Sequence, residues 1–531
     1  MENHRPSTVK VTCSFTFVGI TIIVTFLTPM RFDFRILKFA AAIAFIPIAL
    51  AVYATSGSSH REWSADEVPI SFWAWKTALP ETAELRNGED KAGATKLFVR
   101  AGQMDLNDRE VRRTRPAKGN LPESVEVHLV YNATRELLRG LESLDAEKLS
   151  TALSQTFAAD VERFGSANIK GIQLDLDYPT RLLPQYERTV VELRTKLPPG
   201  TKLSITGLPT WMNSVEIKPL LAAVDFWTPQ LYGAEIPIHI GQPIPISSAR
   251  EIRRATIAAR EMGKPFMAGL AAYGYAIQYD KSGDLVELRG DLDLASVAES
   301  ESFEIVSQEE LGSGAGNSRK IFRAKRDTVL DGLVFRAGES LVFDSPTMES
   351  LREAGRIVRS EAGHELLGIC VFRLPTESDS TNLRLREIVD ALRDRPATNG
   401  FEIKASLGDG GVEISAMNSG SASSFAHEAL AIEITVPPGS VRGVLANNGF
   451  SGFETLCSNG SGAPTKCSSL RANVVRLTRN SWRPGDEVSI RLNANWKTAT
   501  DLTAIIETRS DNSRIDRIQK TFAIEENTNE E

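Results

Sequence analysis

The sequence predicts an α/β protein: a (β/α)8 TIM barrel with an α+β insertion between strand 7 and strand 8, plus a C-terminal β-sandwich. Three observations predict it. Short β-rich apolar runs alternate with amphipathic helical stretches from Val68 to about Arg395. A long Asp/Glu/Gly/Ser-rich stretch interrupts that rhythm once, and beyond Gly400 the chain turns to alternating strands with few helical periods.

The elements follow in order. Residues 1–54 are an apolar N-terminus made of two stretches, Val11 to Pro29 and Phe39 to Ala54. The second is preceded by Arg31, Arg35 and Lys38 and followed by small and polar residues, the layout of a secretory signal. Met30 stands where a true start would fall. Otherwise the two stretches form a membrane hairpin, or the second stays as an uncleaved anchor. Either way an extracytoplasmic location is expected, periplasmic or secreted, with membrane anchoring through the N-terminus as the variant.

The barrel is expected over 66–395, with strands at 69–76, 96–102, 125–132, 169–177, 202–209, 225–233, 265–276 and 366–375. Helices are expected at 134–164, 184–197, 248–263, 345–360 and 382–394, and the count fits a closed barrel. An open doubly wound sheet has the same alternation and is the structural rival. The insertion spans 278–344, with strand-like runs such as VLDGLVFRAG. Residues 400–525 read as an antiparallel sandwich with PPG and PGD turns, a glycan-binding, packing or spacer module, and 526–531 as an acidic tail.

Composition narrows the function. Lys+Arg number 61 against 68 Asp+Glu, a formal net charge of −7, so the clustered cations that neutralise nucleic-acid phosphates are lacking. No nucleic-acid partner is expected. Four cysteines without a Cys-x-x-Cys pair or a His-rich cluster leave no zinc site, and no metal or cofactor is expected. Cys457 and Cys467 bracket a Gly/Ser/Pro loop and read as a local disulfide, worth about 2–3 kcal/mol in the chain-entropy model and at home in an oxidising compartment. Two free thiols are the alternative.

In such a barrel, chemistry comes from the C-terminal ends of strands. The fourth strand ends GIQLDLDYP, and period-two alternation puts Gln173, Asp175 and Asp177 on one face, with Ile172, Leu174 and Leu176 on the other. The apolar face packs on helices, so the polar triplet points into the barrel. Two adjacent acids in a confined space cannot both ionise freely, which raises one pKa and suits a general acid. A structural ladder hydrogen-bonded to neighbouring strands is the alternative.

These residues carry a resemblance. KGIQLDLDYP resembles the strand-four signature of family-18 glycoside hydrolases, the chitinases and endo-β-N-acetylglucosaminidases, which reads Asp-Gly-x-Asp-x-Asp-x-Glu. VDFWTPQLYG resembles their strand-six motif, AGLAAYGYA their strand-seven motif, and the run from ESLVFD to FRLP their last helix and strand eight. The likeness covers about 69–395, and the stretch is similar to an uncharacterised bacterial domain-of-unknown-function family with this barrel.

The resemblance implies roles residue by residue. Gln173 stands where the family has its third-from-last acid, Asp175 at the Asp that orients the substrate's acetamido group, and Asp177 at the Glu that protonates the leaving group. Asp is one methylene shorter than Glu. In that family the substrate's own acetamido group is the nucleophile. Tyr232 matches the strand-six Tyr, Gln230 replaces a Met, Tyr273 matches the strand-seven Tyr, and Phe372 replaces the Trp that floors the sugar subsite.

Other residues at strand tails join them. Trp75, Trp211 and Phe372 are candidate stacking faces for sugar C–H surfaces. Arg100 is the candidate cation facing the carboxylates. Glu235 offers a second acid: with Asp177 it would make a retaining pair if the two stood about 5–5.5 Å apart. His128 reads as a core histidine. Two function classes remain open: a glycoside hydrolase acting on an extracytoplasmic polysaccharide or oligosaccharide, and an inactive glycan-binding, lectin-like barrel or cell-envelope scaffold.

Overall fold

The computed structural model describes residues 8–17, 20–29, 61–76, 78, 93–123, 125–165, 168–233, 235–289, 292–311, 317–376, 379, 381–408, 411–459, 463–494, 502–509 and 515–526. The stretch 39–54, read as a signal or anchor, lies outside them. The earlier apolar stretch is an antiparallel strand pair, Thr8–Phe17 with Ile20–Pro29. Among the described residues no helix is long and apolar enough to cross a membrane.

The central sheet closes on itself. Its strands are β1 (Ile70–Ala74), β2 (Lys96–Asn107), β3 (Glu126–Ala133), β4 (Ile169–Asp175), β5 (Lys202–Gly207), β6 (Phe226–Pro229), β7 (Phe266–Ala271) and β8 (Leu366–Phe372). Neighbours pair in parallel all the way round, and β1 bonds both β2 and β8. That closure excludes the open doubly wound sheet. The fold is a (β/α)8 barrel.

Alternation along each strand separates two environments. Side chains such as Leu97, Val99, Leu129, Ile172, Leu174, Leu203 and Ile205 face outward into the main core, which the helices cover. Those helices include α1 (Ala146–Phe164), α2 (Leu183–Lys196), α3 (Ile217–Ala222), α4 (Ala249–Glu261), α5 (Met348–Glu361) and α6 (Leu385–Leu392). The opposite faces fill the lumen with a separate cluster of Trp73, Phe98, Val130, Phe226, Met267 and Cys370. The lumen is packed, so only its rim is open to chemistry.

Several elements differ from expectation. The helical pattern 134–164 is broken after Gly140, and α1 starts where the Asp145 side chain accepts a hydrogen bond from the Glu147 amide at 2.9 Å. Strand β2, expected to end at 102, runs on to Asn107 and folds back on Glu110–Thr114 as a hairpin. The apolar run 265–276 divides: β7 ends at Ala271, and Tyr275–Tyr279 joins a five-stranded antiparallel rim sheet with Leu285–Arg289, Phe303–Leu311, Asn317–Ala324 and Ser340–Ser345. A short helix, Leu294–Glu299, packs on this sheet over Phe303, Phe322 and Phe343.

Beyond the barrel, the described residues between 401 and 526 form sheets of five and six strands. Their facing residues, among them Ile414 and Ile490 from one sheet and Ile432 and Leu477 from the other, share one apolar core. Cys457 and Cys467 are joined in a disulfide at one edge of this region.

Candidate active site at the mouth of the barrel

At the C-terminal ends of the strands, register brings polar residues level with one another. Asn132 on β3 is in register with Asp175 on β4, and Thr206 on β5 donates to Asp175 Oδ1 at 2.6 Å. Asp175 is 9% exposed. Burial raises its pKa, against the Thr206 hydrogen bond and the Arg100 charge, both of which favour the ionised form. Arg100 on β2 donates through Nε to Asn132 Oδ1 at 3.2 Å and lies 5.4 Å from the Trp75 ring centre. It is a cation set beside the acid and held by a neighbouring strand.

Asp177 is reached differently from the expected ladder. Strand β4 ends at Asp175, Leu176 turns into the apolar core, and Asp177 takes a left-handed backbone with φ of 40°. Few L-residues tolerate that region, and Asp is among those that do. The Asp177 side chain is exposed to solvent on one side and faces the strand ends, with Asp175 beside it, on the other. Partial desolvation by the surrounding protein, and then the adjacent Asp175 charge, push its carboxyl up to about 8. Near neutral pH, Asp177 therefore holds a proton it can give up.

Gln173, one layer deeper, is committed to the barrel. Its Oε1 accepts from Trp73 Nε1 at 2.7 Å, and its Nε2 donates to Ser204 Oγ at 3.4 Å and Thr228 Oγ1 at 3.2 Å. With no exposed surface, it supports the floor and touches no ligand. His128 is also internal, stacked 5.0 Å from Phe98 and bonded to Glu126 at 2.8 Å, and burial lowers its pKa.

An aromatic wall stands on the β1, β6, β7 and β8 side. Half-buried Phe372 lies 5.3 Å from Trp75, 5.0 Å from Tyr273 and 6.2 Å from Tyr232 between ring centres. Burial holds the Tyr232 phenol well above its usual range, and the charges of Asp175 and Asp177 act in the same direction. Gln230, partly exposed, sits just past β6 and bridges to Gly269.

Two candidates fall outside this constellation. Trp211 is fully buried, donates to the Tyr178 carbonyl at 3.0 Å and packs on Tyr186, so its face is not free for a sugar. Glu235 is an exposed loop residue, and among the described residues no contact joins it to Asp177. Sequence reasoning missed Asn132, Thr206 and Trp73. All three lie on the lumen-facing parity of their strands, so carrying the period-two argument beyond β4 reaches them.

Residues 136–314 match the family described as Domain of unknown function (DUF3142). No curated protein matches the sequence. The fold resembles the spore cortex-lytic enzyme SleL of Bacillus cereus, with 15% identity over 62% of this chain and 74% of that chain and a TM-score of 0.41. It also resembles a family GH18 chitinase from Chromobacterium violaceum, with 11% identity over 88% of this chain and 93% of that chain and a TM-score of 0.38. A plant class V chitinase mutant from Cycas revoluta, solved in complex with (GlcNAc)3, aligns at 12% identity over 61% of this chain and 99% of that chain, TM-score 0.40.

Proposed function

We propose that the barrel hydrolyses a glycosidic bond in an extracytoplasmic polysaccharide, with Asp177 as general acid, Asp175 orienting the sugar and Tyr232 supporting it. One observation carries the reading: a solvent-reachable carboxyl held protonated near neutral pH stands beside a buried acid and an aromatic wall. Asp177 gives its proton to the glycosidic oxygen as the bond to the anomeric carbon breaks. In the substrate-assisted course implied by the strand-four resemblance, the acetamido oxygen of the sugar bonds to that carbon, and Asp175 accepts a hydrogen bond from the acetamido N–H. Water activated by the Asp177 carboxylate then opens the ring so formed and restores the Asp177 proton. Trp75, Tyr273 and Phe372 offer faces for the sugar, with Arg100 and Gln230 as polar contacts at the rim. The Cys457–Cys467 disulfide supports an oxidising compartment.

A second reading rests on one methylene. Asp177 is shorter than the Glu of the resembled motif, and withdrawing a proton donor by about 1 Å can cost about 100-fold in rate. A glycan-binding barrel that has lost turnover fits that shortening. The experiment compares wild type and Asp177→Asn on chitin, de-acetylated glucosamine polymers and peptidoglycan. Hydrolysis by wild type with a loss of about 10²–10⁴-fold in the variant is expected. Equal product from the two proteins removes Asp177 from the mechanism, and capture of glycan without turnover by both selects the binding reading.

A further inference from the structure

The described residues of the loop after β8 (373–376, 379 and 381–384) lie against the strand tails at the mouth and are held from outside the barrel. On their inner side they extend the strand tails: the Gly274 amide donates to the Thr381 carbonyl at 2.8 Å, and the Leu383 amide to Ala272 at 2.9 Å. Tyr273 thereby bridges Asn382 while its ring packs on Phe372 and Tyr232. Asp379, buried in the same loop, gathers Arg373 at 2.9 Å, Lys76 at 3.3 Å, the Thr376 amide at 3.0 Å and Asn382 Nδ2 at 3.0 Å. Lys76 follows Trp75 directly, so one carboxylate ties the tails of β1 and β8 to the loop.

Arg483 approaches from the other side. It lies in the PGD turn between the sandwich strands Val474–Trp482 and Glu487–Ala494, and it is 3% exposed. Its Nη1 donates to the Asp379 carbonyl and its Nη2 to the Asn382 carbonyl. Nearby, Asp486 pairs with Arg384 at 3.3 Å and with Arg479 at 3.2 Å. A planar guanidinium reaching two carbonyls at once fixes distance and orientation in a way that a single ammonium does not. Burying it has a cost that free movement of the sandwich would not require.

Resting on the hydrolase reading, we infer that Arg483 is a positioning residue for the barrel's mouth: the C-terminal sandwich inserts it as a brace that holds Asp379 and residues 381–384 and, through them, Tyr273 and Phe372. The sandwich is then part of the cleft's construction. Asp293, Glu387 and Asp486 favour the charged form of Arg483, although burial and Arg384 lower its pKa to about 10, so the brace stays charged at neutral pH.

The test uses the full chain with Arg483→Met, which keeps length without donors, and Arg483→Lys, which keeps charge with one donor centre. Amide hydrogen exchange is followed at Ala272, Gly274, Leu374 and Leu383. The expected result is exchange at these amides faster by about tenfold or more in Arg483→Met and partly restored in Arg483→Lys, with the sandwich strands as protected as in wild type. On any glycan the wild type turns over, KM should rise about tenfold with the pH limb of Asp177 unmoved, because Arg483 acts on the wall through the Asp379 and Asn382 carbonyls and contacts neither acid. Unchanged exchange at the four amides overturns the inference, as does uniform loss of protection through barrel and sandwich in the two variants. A wild type that turns over no glycan sinks the hydrolase reading, while the exchange result still decides the brace.

Discussion

Asp177 concentrates the residue-scale argument, because its raised pKa links chemistry to stability. In an unfolded chain an Asp carboxyl titrates near 3.9, and in the fold this one titrates near 8. Between those values the native state binds more protons than the unfolded state, so stability falls as pH rises through the window. The contribution is fully present below the unfolded value and lost as the pH passes about 8. Asp177→Asn removes the titration. We expect the variant to melt higher than wild type at pH 7, with a flatter dependence of Tm on pH between about 4 and 8. Thermal melts across that range check it; a variant less stable than wild type at pH 7 with the same pH slope contradicts it. The mirror effect belongs to rate: a general acid with this pKa supports turnover below about pH 8 and loses it above. A residue can thus be kept for chemistry at some cost to the fold.

At the scale of elements, β4 is set by what its neighbours leave room for. A Cβ at Gly171 would lie 2.5 Å from the Lys202 carbonyl oxygen and 2.6 Å from His128 Nδ1. Only a glycine lets β3, β4 and β5 close at that layer. Gly171→Ala should therefore cost about 1–3 kcal/mol by forcing strand or ring aside, read as a lower urea midpoint at unchanged m-value; a midpoint within error of wild type would mean the His128 ring relocates freely. Alternation made the lumen-facing set on β4 legible from sequence, since period two depends only on extended backbone. The end of the strand was not legible. Nothing in Leu-Asp-Tyr-Pro announces that Asp177 turns left-handed. The β2 hairpin was hidden for a related reason: its Asp108-Arg109 turn has φ of 48° and 64°, the backbone of a two-residue type I′ turn, but it lacks the glycine that usually marks one. Trp211 misled because a Trp just past a strand reads as a platform, and only tertiary packing on Tyr186 shows that the helical layer claims it.

The whole molecule from Glu62 onward is one compact unit built on separate apolar cores, with the barrel's helical shell, the rim sheet and the paired C-terminal sheets each enclosing its own. Separate cores predict separable unfolding, while buried ties such as Arg483 to Asp379 and Asn382 couple the parts. The disulfide offers a way to perturb one core alone. It closes a loop with a sequence separation of 10 beside the strand Gly452–Cys457, far in sequence from the acids. Opening it should lower the stability of the paired sheets by about 2–3 kcal/mol through the entropy returned to the unfolded chain. Denaturant titrations with and without reductant, followed by exchange at amides of the paired sheets and of β4 to β6, separate the outcomes. The sheet amides should lose protection at lower denaturant. If the brace couples the two parts, the amides of Leu374 and Leu383 should follow the sheets, and β4 to β6 should hold to the wild-type midpoint. A barrel that unfolds together with the reduced sheets at one shared midpoint would mean the cores form a single cooperative unit, and coupling would then have to run through more than the Arg483 contacts.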